Sequence, residues 1–400
     1  MTAPAALDLH DPAFQADPYP TYASLRAGGP VQWSPSLGTW VVTGHAEATA
    51  LLRDPRWSAD GRHADDHAEF VARREAAGLF DSSGRVMLFM DPPDHTRLRG
   101  LVSKAFTPRT VENLRPWVAR LMEDLLDEFG DGGDVMPAIA YRLPVAVICE
   151  LLGVPESDRG LFREHTSRFA GILEFRAPDD VLRTAAEGFA ALGGYLFDLC
   201  EQRRADPRED LVSLLVQAEE AGDRLSPEEL LSTCILLLVA GHETTMNLLG
   251  NGVLALGRHP DQWARLRAEP AIAPIAVEEL LRYDSPVQLT VRTAADGLDL
   301  GGQRIAKGQQ AVVFLGAVNR DPARFARPDD LDLGRADARH HLSLGHGGHY
   351  CLGAPLARLE GQEAFAAMAR RWKTLEVPQD VVFRRTLTLR ALESLDVRVA

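Results

Sequence analysis

The sequence predicts a mostly α-helical protein with small β-sheets. Apolar residues recur at helical spacing through long stretches, while strand-like alternation is confined to short pieces near Val31 and in the last third of the chain. One of the helical stretches is also capped and long enough to cross a whole domain.

In chain order, VQW from Val31 and TWVVTG from Thr39, separated by Ser-Pro-Ser-Leu-Gly, read as a hairpin. Helical period follows over Asp94 to Phe106, Thr110 to Glu128, Phe189 to Arg204, Glu228 to Leu256 and Pro274 to Arg282. Strand character returns at VQLTVRTA from Val287, GQQAVVFLG from Gly308 and LESLDVRV from Leu392. Ser226-Pro227-Glu228-Glu229 spells a capping box with proline at the first helical position. The pattern it opens runs to Gly257, roughly 45 Å at about 1.5 Å per residue. Its centre, AGHETT, is odd for a buried helix: glycine and two threonines weaken it, and Glu243 must be paired or hydrated. A packing glycine and back-bonded threonines would explain Gly241 or Thr245, but not the carboxylate.

Hydrophobic residues at 46% and charged residues at 25% describe an ordinary globular protein. The longest apolar run, ILLLVAG from Ile235, is too short to span a bilayer, and the first residues show neither a secretory signal nor an anchor. A cytoplasmic protein is expected. The net charge of −14, with no basic run, argues against nucleic acid as a partner. No repeat divides the chain, so residues 1–400 read as one domain.

Of the four cysteines, Cys149, Cys200 and Cys234 lie in apolar helical patterns and read as core residues of a reducing compartment. Cys351 differs. It sits in HLSLGHGGHYCLG with His346 and His349 close by, a setting open to three readings: zinc ligand, catalytic nucleophile, or thiolate of an iron cofactor. Elsewhere, EELLR from Glu278 and HTRLR from His95 read in isolation as helix-surface pairs.

Taken together and in order, AGHETT at Ala240, EELLR at Glu278, RTA at Arg292, NRDPARF at Asn319 and LGHGGHYCLGAPLARLE at Leu344 resemble the cytochrome P450 family, specifically its soluble bacterial members. The resemblance runs from about Asp17 to the end and implies the fold of that family: a small β-rich lobe near the N-terminus, a large helical lobe, and a long helix crossing the haem. The family segment Phe-Gly-x-Gly-x-His/Arg-x-Cys-x-Gly matches as Leu344, Gly345, Gly347, His349, Cys351 and Gly353, which makes Cys351 the metal ligand. Leu344 stands where the family has phenylalanine, so the iron loses an aromatic edge near its sulfur ligand.

By the same resemblance the cofactor is haem b, iron protoporphyrin IX, with His95, Arg99, Arg292 and His349 binding its propionates. Ala240, Gly241, Glu243 and Thr244 match the oxygen-activating stretch, where Thr244 would hold the bound oxygen and an ordered water while Glu243 relays protons. Glu279 and Arg282, with Arg335, match a buried structural ion trio. The substrate pocket would be lined by Met87, Leu88, Leu237, Ala240, Val287, Leu289, Thr290, Leu387 and Thr388, suiting a hydrophobic natural-product scaffold of secondary metabolism.

The resemblance thus implies a monomeric haem-thiolate monooxygenase that inserts one atom of O₂, its co-substrate, into that substrate. Electrons would come from a ferredoxin and its reductase, docking on Arg97, Lys104, Arg109 and Arg358. The alternatives are a peroxide-driven or isomerase haem-thiolate enzyme, or a non-catalytic haem or ligand binder in which a second protein ligand closes the iron; His242 is the neighbour to check, although its helical position turns it away.

Overall fold

The structure, a computed structural model, describes Leu9 and residues 11–79, 86–104, 106–220 and 225–400. Most of the segment read as lacking a leader, residues 1–8 and 10, lies outside the described residues, as does Ala105 of the expected 94–106 helix.

Helices dominate, and the predicted ones are present with revised limits: Asp94–Val102, Pro108–Phe129, Asp179–Ala205, Pro227–Arg258 and Ala273–Tyr283. The helix Pro227–Arg258 carries the capping box, with Ser226 Oγ accepting from Glu229 N and the Glu229 side chain accepting from Ser226 N. It is buried on nearly every side. Two of its glycines explain how neighbours come so close. A Cβ on Gly241 would lie 2.9 Å from the Ile148 side chain of the helix Arg142–Leu152, and one on Gly252 would lie 2.4 Å from the Phe365 ring of the helix Ala354–Arg371.

The strands form three small sheets. The largest joins β1 (Val31–Ser34), β2 (Thr39–Val42), β3 (Trp57–Ser58), β5 (Leu289–Ala294) and β8 (Gln310–Phe314) in the order β1-β2-β8-β5-β3. The hairpin β1–β2 pairs Val31 with Val42, β2 and β8 run parallel, and β5 is antiparallel to both β8 and β3. A second sheet contains β4 (Gly132–Asp134), β9 (Leu375–Glu376) and β10 (Asp396–Val399), and β6 (Leu298–Leu300) pairs with β7 (Gln303–Ile305).

One large apolar cluster fills the helical region, and two smaller ones lie against the faces of the main sheet. Cys149, Cys200 and Cys234 are all buried in the large cluster. Among the described residues no helix is long and apolar enough to cross a membrane.

Candidate functional site

The loop before the helix Ala354–Arg371 is built around Cys351. Cys351 N donates to Leu344 O at 2.8 Å and Gly345 N to Leu342 O at 2.8 Å, folding the loop back on itself. Gly345 and Gly347 adopt φ of 71° and 67°, which an L side chain rarely tolerates. At Gly347 a Cβ would also collide with the Leu52 carbonyl, 2.2 Å away. Cys351 is half-buried. Burial pushes its thiol up, against the opposing pull of the Gly353 and Ala354 amides and of Arg99 and Arg358. Those amides belong to the start of the following helix, where the backbone favours an anion. Coordination to a metal ion would supply the remaining drive to deprotonate the thiol.

Beside this loop four cationic or proton-binding side chains converge from three segments. His95, from the helix Asp94–Val102, stacks on His349 with ring centroids 4.1 Å apart. Arg292 projects from β5 on the same face as Thr290, to whose Oγ1 it donates at 3.1 Å. Arg99 donates to Tyr350 O at 2.6 Å. Burial first, then Arg292, His95 and Arg99, pushes His349 down to about 3, and burial lowers Arg292 to about 10. None of the four forms an ion pair with a carboxylate among the described residues. Asp91 acts on His95 and Arg292 without an ion pair to either, and two arginines and two histidines crowded like this still fit an anionic group brought in from outside. The two propionates of a haem whose iron meets Cys351 have the right charge. The donor set is wrong for zinc: no group of three or more metal-ligating side chains occurs among the described residues.

The long helix supplies the other wall. Leu236, Ala240, Gly241 and Thr244 are half-buried within an otherwise buried stretch, so the i, i+4, i+8 stripe Leu236, Ala240, Thr244 marks its open side. Thr244 Oγ1 bonds back to Ala240 O at 3.0 Å. Glu243 is 3% exposed. Its Oε1 lies 3.6 Å from His242 Nε2 and its Oε2 lies 3.9 Å from Arg384 Nη1. Burial opposes its charge most strongly, but His242 and Arg384 together hold the carboxyl below the usual range.

Comparison with known proteins identifies this arrangement. A family model described as Cytochrome P450 matches residues 195–389. The chain is 43% identical over 410 residues to the cytochrome P450 monooxygenase PikC of Streptomyces venezuelae, covering 99% of this chain and 95% of that protein. It is 42% identical to 6-deoxyerythronolide B hydroxylase of Saccharopolyspora erythraea, covering 98% of each. This chain belongs to the cytochrome P450 family. It is a monooxygenase, and the family holds haem iron through a cysteine thiolate. Its structure superposes with a TM-score of 0.89 and 37% identity on a crystal structure of P450BioI with a fatty-acid-ligated acyl carrier protein, covering 97% of this chain and 99% of that one.

In this P450 the EELLR segment serves one fully buried network and one partly buried one, not a surface pair. Glu279 receives Arg282 Nε at 2.7 Å, Arg282 Nη2 at 2.8 Å, Arg335 Nε at 3.1 Å and Asp332 N at 2.9 Å. Neighbouring Glu278 instead pairs with Arg358 at 2.5 Å and His341 at 3.2 Å. Against the cost of burial, those partners hold Glu278 down to about 2.

Two expected positions of the P450 differ from the sequence reading. Strand alternation turns Leu289 away from Thr290 and Arg292, and it packs with Leu387, Phe14, Tyr22 and Phe314 in a sheet-side core, so neither Leu289 nor Leu387 points at the cysteine face through that core. The docking patch is also depleted: Arg97 is bound by Glu229 at 2.6 Å and by Asp94 at 3.2 Å, and Arg358 by Glu278. Of that set, only Lys104 and Arg109 have no ion pair among the described residues. Of the other pocket residues, Met87 and Leu237 are nearly buried, Val287 and Thr290 are half-buried, and Leu88 is exposed. Thr388 Oγ1 accepts from Phe175 N at 3.0 Å.

Sequence reasoning passed over Arg384 and Glu174. Glu174 accepts from Leu387 N at 2.7 Å and Thr388 N at 3.2 Å, and burial, opposed by those amides, raises it to about 7. Neither residue carries a local sequence signal, because each partner lies more than a hundred positions away.

Proposed function

We propose that this P450 inserts one oxygen atom from O₂ into a hydrophobic natural-product scaffold, drawing its electrons from a ferredoxin and its reductase in the cytoplasm. Haem b supplies oxygen binding and activation when bound. Cys351 would hold its iron, and His95, Arg99, Arg292 and His349 its propionates. The observation that carries the reading is the placement of Thr244 on the open stripe of the long helix, with a charged Glu243 buried immediately behind it. Activating O₂ needs protons delivered in sequence, and an alcohol backed by a carboxylate supplies an acceptor and a donor at adjoining positions. Gly241 leaves that stretch without a side chain, which lets Ile148 of the neighbouring helix pack directly against it. The half-buried Val287 and Thr290 give the pocket an apolar wall with a single hydroxyl, which favours a large apolar scaffold over a charged substrate. Two of the relatives, named for PikC and for 6-deoxyerythronolide B hydroxylation, support that substrate class.

The test compares product formed per electron pair in the wild type and in Thr244→Ala and Glu243→Gln, with a ferredoxin system and O₂ and separately with hydrogen peroxide. The reading predicts that both variants lose most product with O₂ while still consuming reductant, and lose far less with peroxide. Equal O₂-driven yields in all three proteins would favour a peroxide-driven or isomerase enzyme. Lys104→Glu and Arg109→Glu, with turnover measured against salt, test ferredoxin docking; no loss in either would place docking elsewhere.

A further inference from the structure

Glu243 has a partner whose role the oxygen-activation reading does not require. His242 is fully buried, and its Nδ1 lies 2.8 Å from Leu238 O. A carbonyl oxygen can only accept, so Nδ1 carries a proton and the orientation of the ring is fixed. The edge of Tyr141 closes one side of the ring, with centroids 6.0 Å apart. Nε2 then faces Glu243 Oε1 across 3.6 Å and has no hydrogen-bond partner among the described residues. Two acceptors do not face each other in a buried site without cost, so a proton between the ring and the carboxylate resolves the contact. Among the described residues the other charged group against the carboxylate is Arg384, whose side chain is 37% exposed and lies 3.9 Å from Oε2. His242 and Thr244 are two positions apart, roughly 200° around the helix at about 100° per residue. The imidazole therefore sits behind the carboxylate and not on the open stripe, which also removes it as a second iron ligand.

We propose that His242 is a positioning residue for Glu243, turning the carboxylate and balancing its charge behind Thr244. This inference rests on the oxygen-activation reading above. His242 is then what allows a carboxylate to stay ionised in a site this dry, ready to take up a proton from the Arg384 side and pass it toward Thr244. Without the ring, burial outweighs the distant, half-exposed Arg384 and pushes the carboxyl up.

The experiment uses haem-loaded protein in the reduced, carbon monoxide-bound form. Infrared difference spectra against Glu243→Gln report the Glu243 carboxyl directly, and coupling assays with O₂ run in parallel. The wild type is expected to show a carboxylate at neutral pH. His242→Gln is expected to show a protonated carboxyl band, absent from the His242→Gln/Glu243→Gln double variant. Its product per electron pair should fall about tenfold, at the low end of what a positioned proton-transfer group contributes, and should recover as pH rises and the carboxyl ionises. A carboxylate signal unchanged in His242→Gln, or a Glu243 already protonated in the wild type, would overturn the inference; the second result needs no substitution at His242. If Glu243→Gln itself leaves the O₂-driven yield intact, the oxygen-activation reading fails. If only His242→Gln is silent, that reading stands and this inference falls.

Discussion

Replacing Glu279 by glutamine should be among the most destabilising single changes in this protein. The carboxylate is fully buried, as is Arg282, and Arg335 is 8% exposed. Three of its four hydrogen bonds arrive at Oε1, from Arg282 Nη2, Arg335 Nε and Asp332 N, and one at Oε2, from Arg282 Nε. Glutamine keeps the shape and can turn its oxygen to the Oε1 position. Its amide hydrogens then point at Arg282 Nε, which is also a donor. The one lost charged hydrogen bond is worth about 1.5 to 3 kcal/mol. Two guanidinium groups are also left without a counter-charge, which brings the total to about 3 to 5 kcal/mol. Domains are stable by only about 5 to 15 kcal/mol, so the loss is a large fraction. Arg335→Met leaves Glu279 its bidentate Arg282 but also takes a donor from the Ala326, Arg327 and Asp330 carbonyls, so its loss too should be about 3 to 5 kcal/mol. Urea unfolding of the haem-loaded protein, followed by circular dichroism and by the haem absorption, measures both. A Glu279→Gln loss below about 1 kcal/mol, the level of an exposed pair, would refute the reasoning.

Three further outcomes follow from the same contacts. Arg292→Leu removes a cation from the His95, Arg99, Arg292 and His349 cluster and should weaken haem retention about tenfold or more, one charge-assisted hydrogen bond's worth, measured by haem transfer to apomyoglobin. Glu278 is held down to about 2 by His341 and Arg358 against the cost of burial. Its contribution to stability is therefore fully present above the ordinary glutamate value of about 4.3 and is lost as pH falls toward about 2; unfolding midpoints of Glu278→Gln against pH should show a flatter acid limb than the wild type. Gly347→Ala forces a side chain into φ of 67° against the Leu52 carbonyl, and should destabilise by more than about 1 kcal/mol with loss of bound haem; a fully haem-loaded Gly347→Ala protein would contradict this.

What the chain reveals before folding is uneven, for physical reasons. The long helix is legible almost to the residue, because a capping box and a long apolar pattern on both sides of AGHETT mark it locally. The β1–β2 hairpin was legible for the same reason, since a turn joins strands adjacent in sequence. The parallel pairing of β2 with β8 was not, because its partners stand some 270 positions apart and parallel pairing leaves no turn to read. Helices such as His45–Arg53 and Arg159–Ala170 are short or strongly polar, so their period is weak. At the site, residue types at motif spacing located Cys351, His349 and Glu243, but not their charge environment. EELLR shows the limit most clearly: its two adjacent glutamates look like one surface pair, yet the helix sends Glu279 to the buried Arg282 and Glu278 to the partly exposed Arg358. The same applies to Arg97, which reads as a free surface cation until Glu229 of the capping box is seen to hold it.

The central claim is that Cys351 binds haem iron as a thiolate with the opposite face open. The absorption spectrum of the purified, reduced protein under carbon monoxide tests it directly, with Cys351→Ser alongside. The account predicts a strongly red-shifted Soret band in the wild type that is lost in Cys351→Ser, with Leu344 tolerated in place of phenylalanine. A band at the position of neutral-thiol or histidine ligation, or one unchanged in Cys351→Ser, would contradict it.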